Sequence, residues 1–64
     1  MTIGENIRRL RRGCDITQEQ LAGLMYITPQ AVSRWENGTT APDAESIIAL
    51  ARIFNCSADD ILGL

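Results

Sequence analysis

TQEQLAGLMYITPQAVSRWENG, residues 17–38, is the stretch that decides the fold of this chain. Thr17 is followed three residues later by Gln20, the reciprocal pair of a capping box, so a helix starts at Thr17. Leu21, Leu24 and Met25 then fall on one face of that helix. Thr28 before Pro29 supplies a second start. Its hydroxyl accepts from amides that have no partner in the first turn, and proline loses nothing there because its missing N–H would be idle anyway. Ala31, Val32 and Trp35 point inward from this second helix, and Asn37-Gly38 ends it, since both residues tolerate left-handed backbone. A tight turn at Tyr26-Ile27 joins the two helices, and Ala22 lies where they cross. A side chain larger than methyl at that crossing would push them apart.

The same signals recur on either side. Thr2 with Glu5 opens a first helix carrying Ile3, Ile7 and Leu10, which Gly13 and Asp15 stop. After a Thr39–Pro42 loop, Asp43 caps a fourth helix with Ile47, Leu50, Ala51 and Phe54 on its apolar face. Asn55 suits a left-handed end, and Ser57 with Asp60 opens a last turn containing Ile61 and Leu62. Strand-like alternation never runs long enough to compete. The expected fold is all-α, five short helices in one domain over residues 1–64. Isolated helices under ~12–15 residues are marginal in water, so these share a core. Its expected members are Ile7, Leu10, Leu21, Ala22, Met25, Ile27, Val32, Trp35, Ile47, Leu50, Phe54, Cys56, Ile61 and Leu62. With neither disulfide nor metal, a net stability of roughly 3–5 kcal/mol is expected.

Composition removes many functions. At 64 residues without a single histidine, the chain lacks the commonest general base and with it the usual triads and imidazole metal sites. Asp59-Asp60 stand at a helix start and read as capping charge rather than a catalytic pair, so no enzyme, cofactor or metal is expected. No apolar run approaches the ~20 residues that span a bilayer, and Met1 leads into polar sequence rather than a signal peptide. A cytoplasmic protein is expected. Cys14 and Cys56 lack CxxC spacing and read as small buried hydrophobes; a disulfide between them would need an oxidising compartment that nothing suggests. The net charge of −2 argues against nucleic acid until it is divided. Residues 1–38 hold five arginines against four carboxylates, and residues 39–64 hold Arg52 against Asp43, Glu45, Asp59 and Asp60. The front is basic and the back acidic.

Between Thr17 and Gly38 the layout is a helix-turn-helix whose second helix leaves a short polar face of Thr28, Pro29, Gln30, Ser33 and Arg34. A helix fits the major groove of double-stranded DNA, and side chains near its N-terminus meet base edges. The run TQEQLAGLMYITPQAVSRWENGTTAPD resembles the Cro/cI-type, XRE-like helix-turn-helix family of phage and bacterial repressors. Thr17-Gln18, Leu21-Ala22, Val32-Ser33-Arg34-Trp35-Glu36, Gly38 and Pro42 carry the resemblance, which covers essentially the whole chain. It implies a lambda-repressor-like domain with its third helix in the major groove, acting as a homodimer on a palindromic operator. By position it implies that Gln18 meets a phosphate. Thr28 and Pro29 stand at the groove edge; Gln30, Ser33 and Arg34 face base edges; Asn37 and Thr39 meet the backbone. Arg11 and Glu36 match an ion pair that joins the first and third helices in this family. Two positions depart. Tyr26 stands where many members have glycine, so either it takes positive φ with strain or the turn differs. Pro29 replaces a residue that in some phage repressors reads a base, and it offers only apolar contact, such as to a thymine methyl.

The function expected is a sequence-specific, double-stranded DNA-binding transcriptional regulator, most simply a repressor that occupies an operator. The alternative is a helix-turn-helix interaction or dimerisation module without DNA binding, which the acidic total favours slightly. Trp35 reads as core rather than as a stacking platform, by its spacing from Val32 and Ala31. Arg8, Arg9 and Arg12 read as a solvated helix face, with DNA contact as the alternative. Leu62 and Leu64 offer apolar side chains to a two-fold contact. A chain stopping just after its last helix also fits the N-terminal domain of a longer protein.

Overall fold

The computed structural model describes residues 2–64. Five helices appear: α1 over Ile3–Gly13, α2 over Gln18–Met25, α3 over Pro29–Asn37, α4 over Ala44–Ile53 and α5 over Ala58–Leu62. Every start is capped as the sequence predicts. Thr2, Thr17 and Ser57 form capping boxes with Glu5, Gln20 and Asp60, while Thr28 and Asp43 accept from the amides of Ala31 and Ser46. Each such cap contributes about 1 kcal/mol, which counts in a domain this small. Glu5 is held below its ordinary pKa by its hydrogen bonds with Thr2, and Asp43 by those with Ser46.

Ile7, Leu21, Val32, Leu50 and Ile61 are fully buried and form the centre, with Ala22, Trp35 and Phe54 beside them. Ile3, Leu10, Ile16, Met25, Ile27, Ile47, Ala51, Ile53 and Cys56 pack around this centre half-buried. α1 runs through the middle, against α3 on one side and α5 on the other, with α2 on α3 and α4 on α5. Two close contacts help fix the N-terminal half of α1. The buried Asn6 side-chain amide donates to the Ile61 carbonyl at 3.0 Å, and Gly4 lies against the Trp35 and Glu36 carbonyls.

Three sequence expectations are corrected. Leu24 is 57% exposed, because α2 uses Leu21 and Ala22 for its burial and Leu24 falls beyond the edge of that contact. Leu62 is only half-buried, leaving Ile61 as the core residue of α5. Cys14 is exposed at the C-cap of α1 rather than buried. Both thiols are free, and burial, followed by nearby Asp60, pushes the Cys56 thiol up and makes it a poor nucleophile.

Tyr26 resolves its own ambiguity: it caps α2 in the left-handed region at φ 58°, ψ 39°. The Ile27 amide donates to the Ala22 carbonyl at 3.0 Å, closing the turn that sends the chain into α3. Left-handed backbone costs a non-glycine residue of order 1 kcal/mol or more, and the Tyr26 side chain, 96% exposed, returns no packing. Tyr26→Gly should therefore raise stability by about 1 kcal/mol and Tm by roughly 4–8 °C. Thermal unfolding checks this, and a lowered Tm would mean that the ring contributes through a contact the fold does not display.

Candidate nucleic-acid interface

The polar face of the second helix of the motif is built around one buried carboxylate. Glu36, in the last turn of α3, has no exposed side-chain surface. Its Oε2 accepts from Arg11 Nε at 2.7 Å. Its Oε1 accepts from Arg11 Nη2 at 3.1 Å, Gln18 Nε2 at 3.1 Å and Arg8 Nε at 3.2 Å. Arg11 Nη1 also donates to the Ile16 carbonyl at 2.9 Å. One carboxylate therefore ties α1, the α1–α2 loop, α2 and α3 into a single frame. Burial alone would push the Glu36 carboxyl up, but the hydrogen bonds from Arg11, Gln18 and Arg8 outweigh it and hold it below the ordinary carboxylate value. Arg11 is raised in turn, chiefly by its hydrogen bonds to Glu36. The ion pair implied for Arg11 and Glu36 is present, and no buried side-chain polar atom among the described residues lacks a partner.

On this frame α3 presents its outward face. Thr28, Pro29, Gln30 and Arg34 are exposed and Ser33 is half-buried. Thr28 also caps the helix, so its oxygen already accepts from the Ala31 amide at 3.3 Å. Asn37 and Thr39 are exposed at the far end, where the Thr39 amide donates to the Arg34 carbonyl at 2.9 Å. Asn37 is engaged on both sides: Oδ1 accepts from Arg8 Nη2 and Nδ2 donates to Ser33 Oγ, each at 3.4 Å. Gln18 is half-buried, its amide turned to Glu36, and it shares an open groove with Arg12, Thr17, Glu19 and Pro29. The structure thus brings the start of α2 and the start of α3 to one groove, and gathers Ser33 and Asn37 at the end of α3.

Sequence reasoning gives Arg8 as part of a solvated run, with DNA contact as the alternative, and missed its anchoring to both Glu36 and Asn37. The available signal was spacing: Arg8 lies one turn from Arg11 on the face of α1 that meets α3. Among the described residues Arg9, Arg12, Arg34 and Arg52 make no ion pair. The carboxylates of Asp43, Glu45, Asp59 and Asp60 lie exposed on α4, α5 and their caps.

Comparison with known proteins agrees with this geometry. A family profile described as Helix-turn-helix matches residues 7–61. The chain is 37% identical over 62 residues to the HTH-type transcriptional activator BcrR of Enterococcus faecalis, and 39% identical over 62 residues to the HTH-type transcriptional regulator DicA of Escherichia coli. These alignments cover 97% of this chain but 30% and 46% of the two relatives, so the chain spans less than half the length of either. Among solved structures, the P22 c2 repressor protein in complex with a synthetic operator superimposes with a TM-score of 0.90 at 34% identity, covering 97% of this chain and 94% of that one. A transcriptional regulator from Listeria innocua superimposes with a TM-score of 0.91 at 32% identity, over 98% of this chain and 59% of the other. With five helices, the capped turn at Tyr26 and these matches, the chain belongs to the Cro/cI-type helix-turn-helix family.

Proposed function

We propose that residues 1–64 act as a sequence-specific double-stranded DNA-binding domain of a transcriptional regulator, with α3 in the major groove. One observation carries the reading. Gln30 and Arg34 lie four residues apart on α3, both exposed, and Arg34 enters no ion pair among the described residues. Side chains at that spacing share one helix face, and the two types pair with adenine and guanine edges respectively. Ser33 completes the base-facing row, with Thr28 and Pro29 at the groove edge, where the Pro29 ring offers apolar contact. Gln18, Asn37 and Thr39 meet the phosphate backbone on either side. The proposal is supported by the close superposition on a repressor whose structure holds its operator. Relatives include an activator and a repressor, so direction of regulation is not a property of the fold alone. Repression by operator occupancy is the simplest use of a domain this small. No helix among the described residues is long and apolar enough to cross a membrane, which is compatible with a cytoplasmic site of action.

Site selection from random duplexes, followed by titration, tests the reading. Gln30→Ala and Arg34→Ala should each relax preference at a single base position, at a cost of about 1–3 kcal/mol on the selected site. Gln18→Ala should weaken selected and random duplexes alike. Equal loss on both duplexes for Gln30→Ala or Arg34→Ala would contradict base reading. Absence of binding even at low salt would favour an interaction module instead. We also propose a two-fold pair on a palindromic site. Leu64 is 87% exposed and Ile48 50% exposed, leaving apolar surface for such a contact, and the same titration should saturate at two copies per duplex.

A further inference from the structure

Glu36 has more donors than it needs. Arg11 alone serves both carboxylate oxygens, at 2.7 and 3.1 Å, and neutralises the charge. Arg8, with Nε at 3.2 Å, is therefore a surplus cation, and the cluster of two arginines and one carboxylate keeps one positive charge. This charge is not buried. The Arg8 side chain is 40% exposed against 11% for Arg11. It is nevertheless held in place, because Nη2 reaches Asn37 Oδ1 at 3.4 Å. A guanidinium carries five N–H donors and an Asn amide two. Arg8 Nη1 and one proton of Asn37 Nδ2 thus have no hydrogen-bond partner among the described residues, on two side chains joined by the Nη2–Oδ1 bond at the end of α3.

We infer that Arg8 grips the DNA backbone: Glu36 sets its guanidinium, and Arg8 and Asn37 together present donors to one phosphate. The inference rests on the double-stranded DNA reading above. Anchoring a long side chain before it binds reduces the rotamer entropy lost on binding. A guanidinium fork also suits the tetrahedral oxygens of a phosphate better than a point charge. Arg9, the next residue, is exposed and makes no ion pair among the described residues, so it offers charge without placement.

The test is a polarisation titration of the whole chain on a selected duplex and a random duplex, between roughly 50 and 200 mM salt. Arg8→Met should fold, because Arg11 keeps Glu36 paired, and thermal unfolding verifies this. It should weaken both duplexes by the same factor and lower the salt slope by about 0.9 per bound copy, so that the fourfold rise in salt costs each copy ~3.5-fold less affinity than the wild type. Arg8→Lys keeps the charge but cannot span Glu36 and Asn37, and should recover only part of that slope. Arg9→Met should change the slope by less than half as much. An unchanged slope for Arg8→Met, an equal loss for Arg9→Met, or full recovery by Arg8→Lys would overturn the inference. A wild-type chain that binds no duplex at low salt would overturn the DNA reading itself, and is distinct from one that binds without regard to Arg8.

Discussion

Gly4→Ala should leave the chain unfolded at 25 °C, or nearly so. A Cβ at position 4 would lie 2.2 Å from the Trp35 carbonyl oxygen and 2.9 Å from that of Glu36. Both are backbone atoms of α3, so no side chain can rotate away. To restore ordinary contact α1 would have to back off by roughly 1 Å, and close-packed interiors resist such a shift. Overpacking at sites that can relax costs about 1–3 kcal/mol, and this site cannot relax without parting the two helices that carry Ile7, Val32 and Trp35. A loss of about 3 kcal/mol or more consumes most of a stability of roughly 3–5 kcal/mol. Helix propensity offers little in return, since Gly4 is only the second residue of α1 and the gain of about 0.5–1 kcal/mol for alanine over glycine belongs to helix interiors. Gly23→Ala in α2 is the matched control: nothing lies within 4 Å of its added Cβ, so only the gain of about 0.5–1 kcal/mol should remain. Urea unfolding of the pair reads opposite signs from one substitution type. A folded Gly4→Ala chain of near wild-type stability would show that the α1–α3 approach has slack.

The contrast between these two glycines marks what a sequence discloses. Caps are local, needing only a hydroxyl or carboxylate and a partner three residues on, so Thr2, Thr17, Thr28, Asp43 and Ser57 are all legible before any coordinates exist. Left-handed ends at Asn55 and Gly38 are legible for the same reason. Gly4 and Gly23 look alike in one dimension, because what separates them is the presence or absence of another helix. Asn6 is similar: its burial is tolerable only because the Ile61 carbonyl, 55 residues away, accepts its amide. Leu24 reads as core by periodicity, yet α2 has more apolar residues than partner surface to bury them. At the candidate interface the exposed row on α3 follows from helical phase. The convergence of Arg8, Arg11 and Gln18 on Glu36 does not follow, since it depends on how three helices cross.

That convergence gives the domain its other most sensitive residue. Glu36→Ala should unfold the protein as thoroughly as Gly4→Ala, by an electrostatic route. It would leave Arg11, only 9% exposed, with the Ile16 carbonyl as its remaining hydrogen-bond partner. Removing one member of a buried pair typically costs about 3–5 kcal/mol, because the other charge stays desolvated and unpaired. Replacing both partners is milder, so Arg11→Met with Glu36→Leu should be more stable than Glu36→Ala alone. The same carboxylate sets a pH dependence whose direction is fixed. Its pKa in the fold lies below the ordinary value, so folding favours the ionised form. The associated stability is fully present above about pH 5 and drains as pH falls through the depressed pKa of the folded state. The urea midpoint should therefore hold between pH 7 and pH 5 and drop steeply in more acid solution, Glu36 acting together with Glu5 and Asp43, whose pKa values are also lowered. In the Arg11→Met, Glu36→Leu double variant the Glu36 share of that acid loss should vanish, leaving a shallower fall. A double variant with the wild-type acid profile would place the proton uptake elsewhere and reduce Glu36 to a packing role.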